Sequence, residues 1–188
     1  MTGVQTCALP IYTGYLRADP ERIGFWRARL DALGPGPKIG ISWRGGTAAT
    51  RTAQRSLGPA DLLPLLGFPV GGFVSLQYDA DAAEVAALPT GGSAVHFWDD
   101  ALRDYDETAA LVCALDLVIS VCTAVIHLTG ALGRPVWVLV PSIPEWRYGV
   151  AGTEMPWYPS ARLFRQPPGA AWSVVTREVA DALGREFG

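Results

Sequence analysis

Residues 117–140 read LVISVCTAVIHLTGALGRPVWVLV, and the fold follows from how this stretch divides. Its two ends, LVISV at 117–121 and PVWVLV at 135–140, are almost wholly apolar. A strand with one face in water alternates polar and apolar residues, whereas a strand covered on both faces does not. Between the two runs, Thr123 stands where it can cap a helix, AVIHLTGAL, which Gly133 stops. A strand, a crossover helix and a second strand make a parallel pair.

The same alternation extends in both directions. Upstream, Asp19-Pro20 opens a helix with Ile23, Trp26 and Leu30 at helical spacing, and Gly34-Pro35-Gly36-Pro37 ends it. Strands are expected at 38–43 (KIGISW), 73–76 (FVSL) and 94–98, with helices at 59–66 and 81–88 between them. Asp104 followed by Glu107 has the spacing of a capping box ahead of the apolar run AALVCAL. Downstream, a segment rich in Pro, Trp and Tyr occupies 141–160, before a short strand at 163–164 and a closing helix at 172–187. This pattern specifies an α/β fold: a Rossmann-like, doubly wound parallel sheet of about six strands in a three-layer αβα arrangement. Residues 12–188 form one domain on this reading.

Composition excludes several classes. The 188 residues are 49% hydrophobic and 18% charged, with a net charge of −3, which rules out a disordered chain and gives no electrostatic footprint for nucleic acid. The most apolar stretch, 116–134, falls short of the roughly 20 residues of a membrane span and contains His127. Cys7, Cys113 and Cys122 have neither the number nor the spacing of a disulfide or zinc framework, which points to a reducing, cytoplasmic setting. Seven Trp and 36 Gly plus Pro (21 and 15) lead to the expectation of tight connections and a wet, aromatic surface region. Residues 1–11, MTGVQTCALPI, look like a translated sequencing adaptor rather than a signal peptide, so the natural chain is expected to continue upstream.

In a doubly wound sheet, ligands bind beyond the carboxyl ends of the strands where the strand order reverses. Here those ends are Trp43-Arg44-Gly45-Gly46 and Val121-Cys122-Thr123-Ala124. The first supplies a Gly-Gly turn that lets backbone N–H groups approach a ligand, with Arg51 and Arg55 following. The second supplies a helix N-terminus, the Thr123 hydroxyl and, one turn in, His127. Together they read as a diphosphate cradle, without the G-x-G-x-x-G fingerprint or a P-loop. Taken singly, each piece also has a plain structural role. The Gly-Gly is then a turn, the arginines solvated charges, Thr123 a helix cap, His127 a core histidine and Cys122 a small buried residue.

These same residues resemble a known family. SVCTAVIHLTGALGRPVWVLV at 120–140, with GISWRGG at 40–46, FVSLQ at 73–77, PEWRYG at 144–149, MPWYPS at 155–160 and RLFRQ at 162–166, is similar to heptosyltransferase-like (family 9-like) glycosyltransferases. The likeness covers about residues 15–183 and is nearest to bacterial proteins carrying tetratricopeptide repeats ahead of such a region. It implies one half of a GT-B architecture, the C-terminal domain that binds a nucleotide-diphosphate sugar. The partner N-terminal domain would hold the acceptor and the catalytic base. By this resemblance Thr123, Ala124 and His127 contact the diphosphate, Arg55 supplies a basic group to it, and Gln77 and Trp146 lie near the nucleoside. Relatives usually carry an aspartate directly before the threonine, where this chain has Cys122. Either the subgroup works without the acid, or donor choice differs, or activity is lost.

The expected function is therefore donor binding in a glycosyltransferase, with a nucleotide sugar as substrate and no cofactor or metal; Asp99-Asp100 is adjacent rather than spaced as a metal-binding pair and reads as a loop or cap. The alternative is a degenerate nucleotide-binding or scaffolding module. A sugar-nucleotide 2-epimerase of the same architecture lacks its expected acidic and basic residues here.

Overall fold

A computed structural model describes residues 14–46, 52–89 and 92–188. The first eleven residues with Cys7, and Arg51, lie outside the described residues. Among the described residues, six strands form one all-parallel sheet in the order β3-β2-β1-β4-β5-β6. They are β1 (Lys38–Ser42), β2 (Gly72–Ser75), β3 (Val95–His96), β4 (Leu117–Val121), β5 (Val136–Val140) and β6 (Ala161–Arg165). The helices are α1 (Pro20–Asp31), α2 (Pro59–Leu66), α3 (Ala82–Ala86), α4 (Asp99–Leu102), α5 (Tyr105–Ala114), α6 (Ala124–Ala131) and α7 (Trp172–Phe187). Strand order reverses between β1 and β4, as expected of a doubly wound sheet.

The apolar runs serve two cores at once. Along β4, Leu117, Ile119 and Val121 point into one cluster with α2 and α7, while Val118 points into the other with α1 and α5. β5 does the same, sending Trp137 and Leu139 one way and Val136, Val138 and Val140 the other. Successive strand side chains face opposite sides, so a strand between two helical layers has no water-facing position left for a polar residue. A Cβ on Gly40 of β1 would stand 2.6 Å from Leu76 Cδ1 and 2.7 Å from Leu115 Cδ1, so a side chain there would require both leucines to shift.

Several local expectations are corrected. Asp104 caps α5 alone, accepting from Asp106 N–H at 2.8 Å. Glu107 does not close a box; its carboxylate accepts from Arg22 Nε at 2.7 Å and from the buried Trp26 indole N–H at 2.8 Å, tying α5 to α1. A charge-assisted partner for a buried indole outbids a backbone N–H at the helix start. Asp99 and Asp100 form the first turn of the short helix α4, with Trp98 at its N-cap, rather than a loop or cap, and β3 shrinks to two residues at the sheet edge. Five of the seven Trp are buried; the exposed aromatic region is confined to Trp146 and Trp157 among them. No described helix is long and apolar enough to cross a membrane.

Candidate functional site

The turns after β1 and β4 meet. A Cβ on Gly45 would lie 3.1 Å from Cys122 O and 3.3 Å from Thr123 Cγ2, tighter than most such contacts, so the two turns approach closely around this glycine. Gly46 has φ +80°, a conformation most side chains avoid. Beside this junction is a cavity of about 620 Å³. It is the size of ordinary small-molecule sites, roughly 300–1,000 Å³.

Nine of the eleven residues expected at the site line this cavity: Arg44, Gly45, Gly46, Arg55, Gln77, Cys122, Thr123, Ala124 and His127. Two do not. Trp43 is buried in the α2/α7 core, its indole N–H donating to Glu84 Oε1 at 2.6 Å, because as the residue after Ser42 its side chain turns to the opposite face. Trp146 is 76% exposed and meets Trp157 edge to face at 5.9 Å, outside the cavity.

Thr123 stands at the N-cap of α6 but does not cap it with its side chain. Its hydroxyl lies 2.9 Å from Ser120 Oγ. The start of α6 is thus left without a side-chain cap where Thr123, Ala124 and Val125 border the cavity, with the partial positive charge of a helix N-terminus. Gln77 is mostly spent on structure: its Oε1 accepts from Ser42 Oγ and from the Trp43 and Arg44 N–H groups, which fixes the turn after β1. Arg44 is likewise engaged, by Glu84 at 3.1 Å and by the Asp79 carbonyl at 2.7 Å.

Arg55 donates to Cys122 O and pairs with Glu145 at 2.8 Å. Arg147 and Tyr148, from the segment between β5 and β6, complete the wall. Sequence reasoning did not single them out, although both lie inside PEWRYG. Cys122 is 1% exposed; burial pushes its thiol up to about 12, with the Tyr148 hydroxyl as a hydrogen-bond partner pulling the other way. Burial likewise holds the Tyr148 phenol well above its ordinary value. The half-buried His127 is held below its ordinary value by desolvation and then by Arg147, and its ring centroid lies 6.4 Å from that of Tyr148 and 5.7 Å from that of Tyr158. The arrangement offers an anion a helix N-terminus, glycine backbone and two guanidiniums.

No family model matches the chain. Protein FlbA from Caulobacter vibrioides is 38% identical over 186 residues, taking in 96% of this chain and 30% of that protein. The chain thus spans less than a third of that relative's length. The crystal structure of the glycosyl transferase family 9 from Veillonella parvula superposes with a TM-score of 0.62, over 93% of this chain and 53% of that one, at 13% identity. What is shared at that identity is the fold. The chain shares the fold of one Rossmann-like half of a GT-B structure.

Proposed function

We propose that this chain is the donor-binding half of a glycosyltransferase, holding a nucleotide-diphosphate sugar in the cavity between the β1 and β4 turns. The observation that carries the reading is the contact of Gly45 with Cys122 and Thr123 around the uncapped start of α6. The diphosphate lies against the N–H groups of α6 and the Gly45-Gly46 backbone, with Arg55 and Arg147 on its flanks and His127 as a further donor. Negative charge on the leaving diphosphate grows as the glycosidic bond breaks. Fixed donors aimed at that charge lower the barrier, each by about 3 kcal/mol. The acceptor and the base that deprotonates it belong to a partner domain of the same natural chain.

Calorimetry of the 188-residue chain with UDP-, GDP- and ADP-sugars tests the proposal. Binding of at least one, without sugar transfer, is the expected result. Binding of none overturns the donor site, and transfer by this chain alone overturns the assignment of the base to another domain.

Cys122 favours a second reading, a nucleotide-binding module without turnover. A buried thiol raised to about 12 supplies no charge at neutral pH where the resemblance leads to an aspartate. A transfer assay on the full-length parent separates the two, since the module binds donor and transfers nothing.

A further inference from the structure

Two cations of the cavity share one carboxylate. Arg55 Nη1 is 2.8 Å from Glu145 Oε1, and Arg147 Nη1 is 2.9 Å from Glu145 Oε2. Both arginines line the cavity, whereas Glu145 stands outside its wall in the segment between β5 and β6. Arg55 is further fixed by Cys122 O at the end of β4. A bridging carboxylate thus does for this guanidinium pair what an anion in the cavity would do from the other side, and it cancels one of their two charges.

We propose that Glu145 is a resident counter-anion. It holds Arg55 and Arg147 in place while the cavity is empty and yields them when a diphosphate enters. The inference rests on the diphosphate reading and assigns a further affinity-determining residue to that site. Guanidinium forks pair with phosphate oxygens in the same bidentate manner as with carboxylates, and a diphosphate brings more negative charge than one carboxylate. The Glu145 side chain is 31% exposed, so on release it reaches water without first crossing a buried layer. A diphosphate and an unreleased Glu145 would repel each other across the same two cations. Charge at Glu145 therefore opposes binding.

The test is calorimetry with inorganic pyrophosphate on the full 188-residue chain and on Glu145→Gln, which keeps the side chain's size and removes its charge. Glu145→Gln is expected to bind about five- to twentyfold tighter, with a steeper loss of affinity as salt rises. Glu145→Asp, which keeps the charge, is expected to stay within about threefold of wild type. Equal or weaker binding by Glu145→Gln makes Glu145 a brace and overturns the inference, while binding by wild type leaves the donor reading standing. Failure of all three proteins to bind pyrophosphate or any nucleotide sugar removes the donor reading as well.

A measurement on the wild-type fold guards against a variant that does not fold. Trp146 is adjacent in sequence to Glu145, so pyrophosphate is expected to change its fluorescence, a change lost in Trp146→Phe. Saturating pyrophosphate with no such change overturns release of Glu145.

Discussion

Cys122 shows how one side chain limits what a site can do. Its thiol faces Leu139 O at 3.7 Å and takes Tyr148 as a hydrogen-bond partner, in a space too dry for an ion. The folded chain holds this proton up to about 12, while an unfolded cysteine gives it up near 8.5. The folded state therefore binds more protons between those values, and its stability declines as pH rises through that window. The same shift controls reactivity, because the thiolate is the nucleophile. With iodoacetamide at pH 9, Cys122 is expected to stay unlabelled in the native chain and to react fully in urea, as read by peptide mass spectrometry. Native labelling at the rate of an ordinary thiol would contradict the burial. Taken singly, Cys122 reads from the sequence as a small buried residue, and taken with its neighbours as part of the ligand site; the side chain is buried. The role of Glu107 was not legible, because its indole partner Trp26 is 81 residues away and only the packing of α1 on α5 brings them together.

At the scale of elements, periodicity decided what could be read beforehand. α2 and α7 fall on the expected spans, since proline or tryptophan opens each and apolar residues recur at helical spacing. Segment 141–160 has no period, and its shape is imposed from β6. There Arg165 donates to the carbonyls of Gly152 at 2.7 Å, Gly149 at 3.1 Å, Ala151 at 3.1 Å and Tyr148. One guanidinium thereby satisfies four carbonyls that have no strand or helix to pair with, which a planar fork of five donors can do. The segment carries Arg147 and Tyr148 to the cavity and Glu145 to the two arginines, so this clasp positions part of the candidate site from the far side. That is why two of its wall residues escaped the sequence: their placement depends on a residue 17 or more positions later. Arg165→Gln is expected to free the segment and speed tryptic cleavage after Arg147 by about tenfold or more, while the sheet stays folded by circular dichroism. An unchanged cleavage rate would show that the aromatic packing of Tyr148 and Tyr158 holds the segment without Arg165.

At the scale of the molecule, the parallel sheet and the place where its order reverses were legible because unbroken apolar strands admit few arrangements once helices must cover both faces. The site inherits that legibility only at the backbone: the β1 and β4 ends had to be neighbours, but the direction of Trp43 and the exposure of Trp146 depend on side-chain orientation. A ligand held at this junction touches the ends of two central strands, the start of α6 and the β5–β6 segment, none of which keeps its geometry in an unfolded chain. Binding must then favour the folded state alone and raise its melting temperature. At a ligand concentration 100 times Kd the gain is about 2.7 kcal/mol. For a chain of this length each kcal/mol is worth roughly 2–4 °C, so a nucleotide sugar that binds by calorimetry should raise Tm by about 5–10 °C at that concentration. Differential scanning calorimetry across a ligand series reads this directly. A ligand that binds yet shifts Tm by less than about 1 °C engages something other than the assembled junction, and the assignment of the cavity as its site then fails.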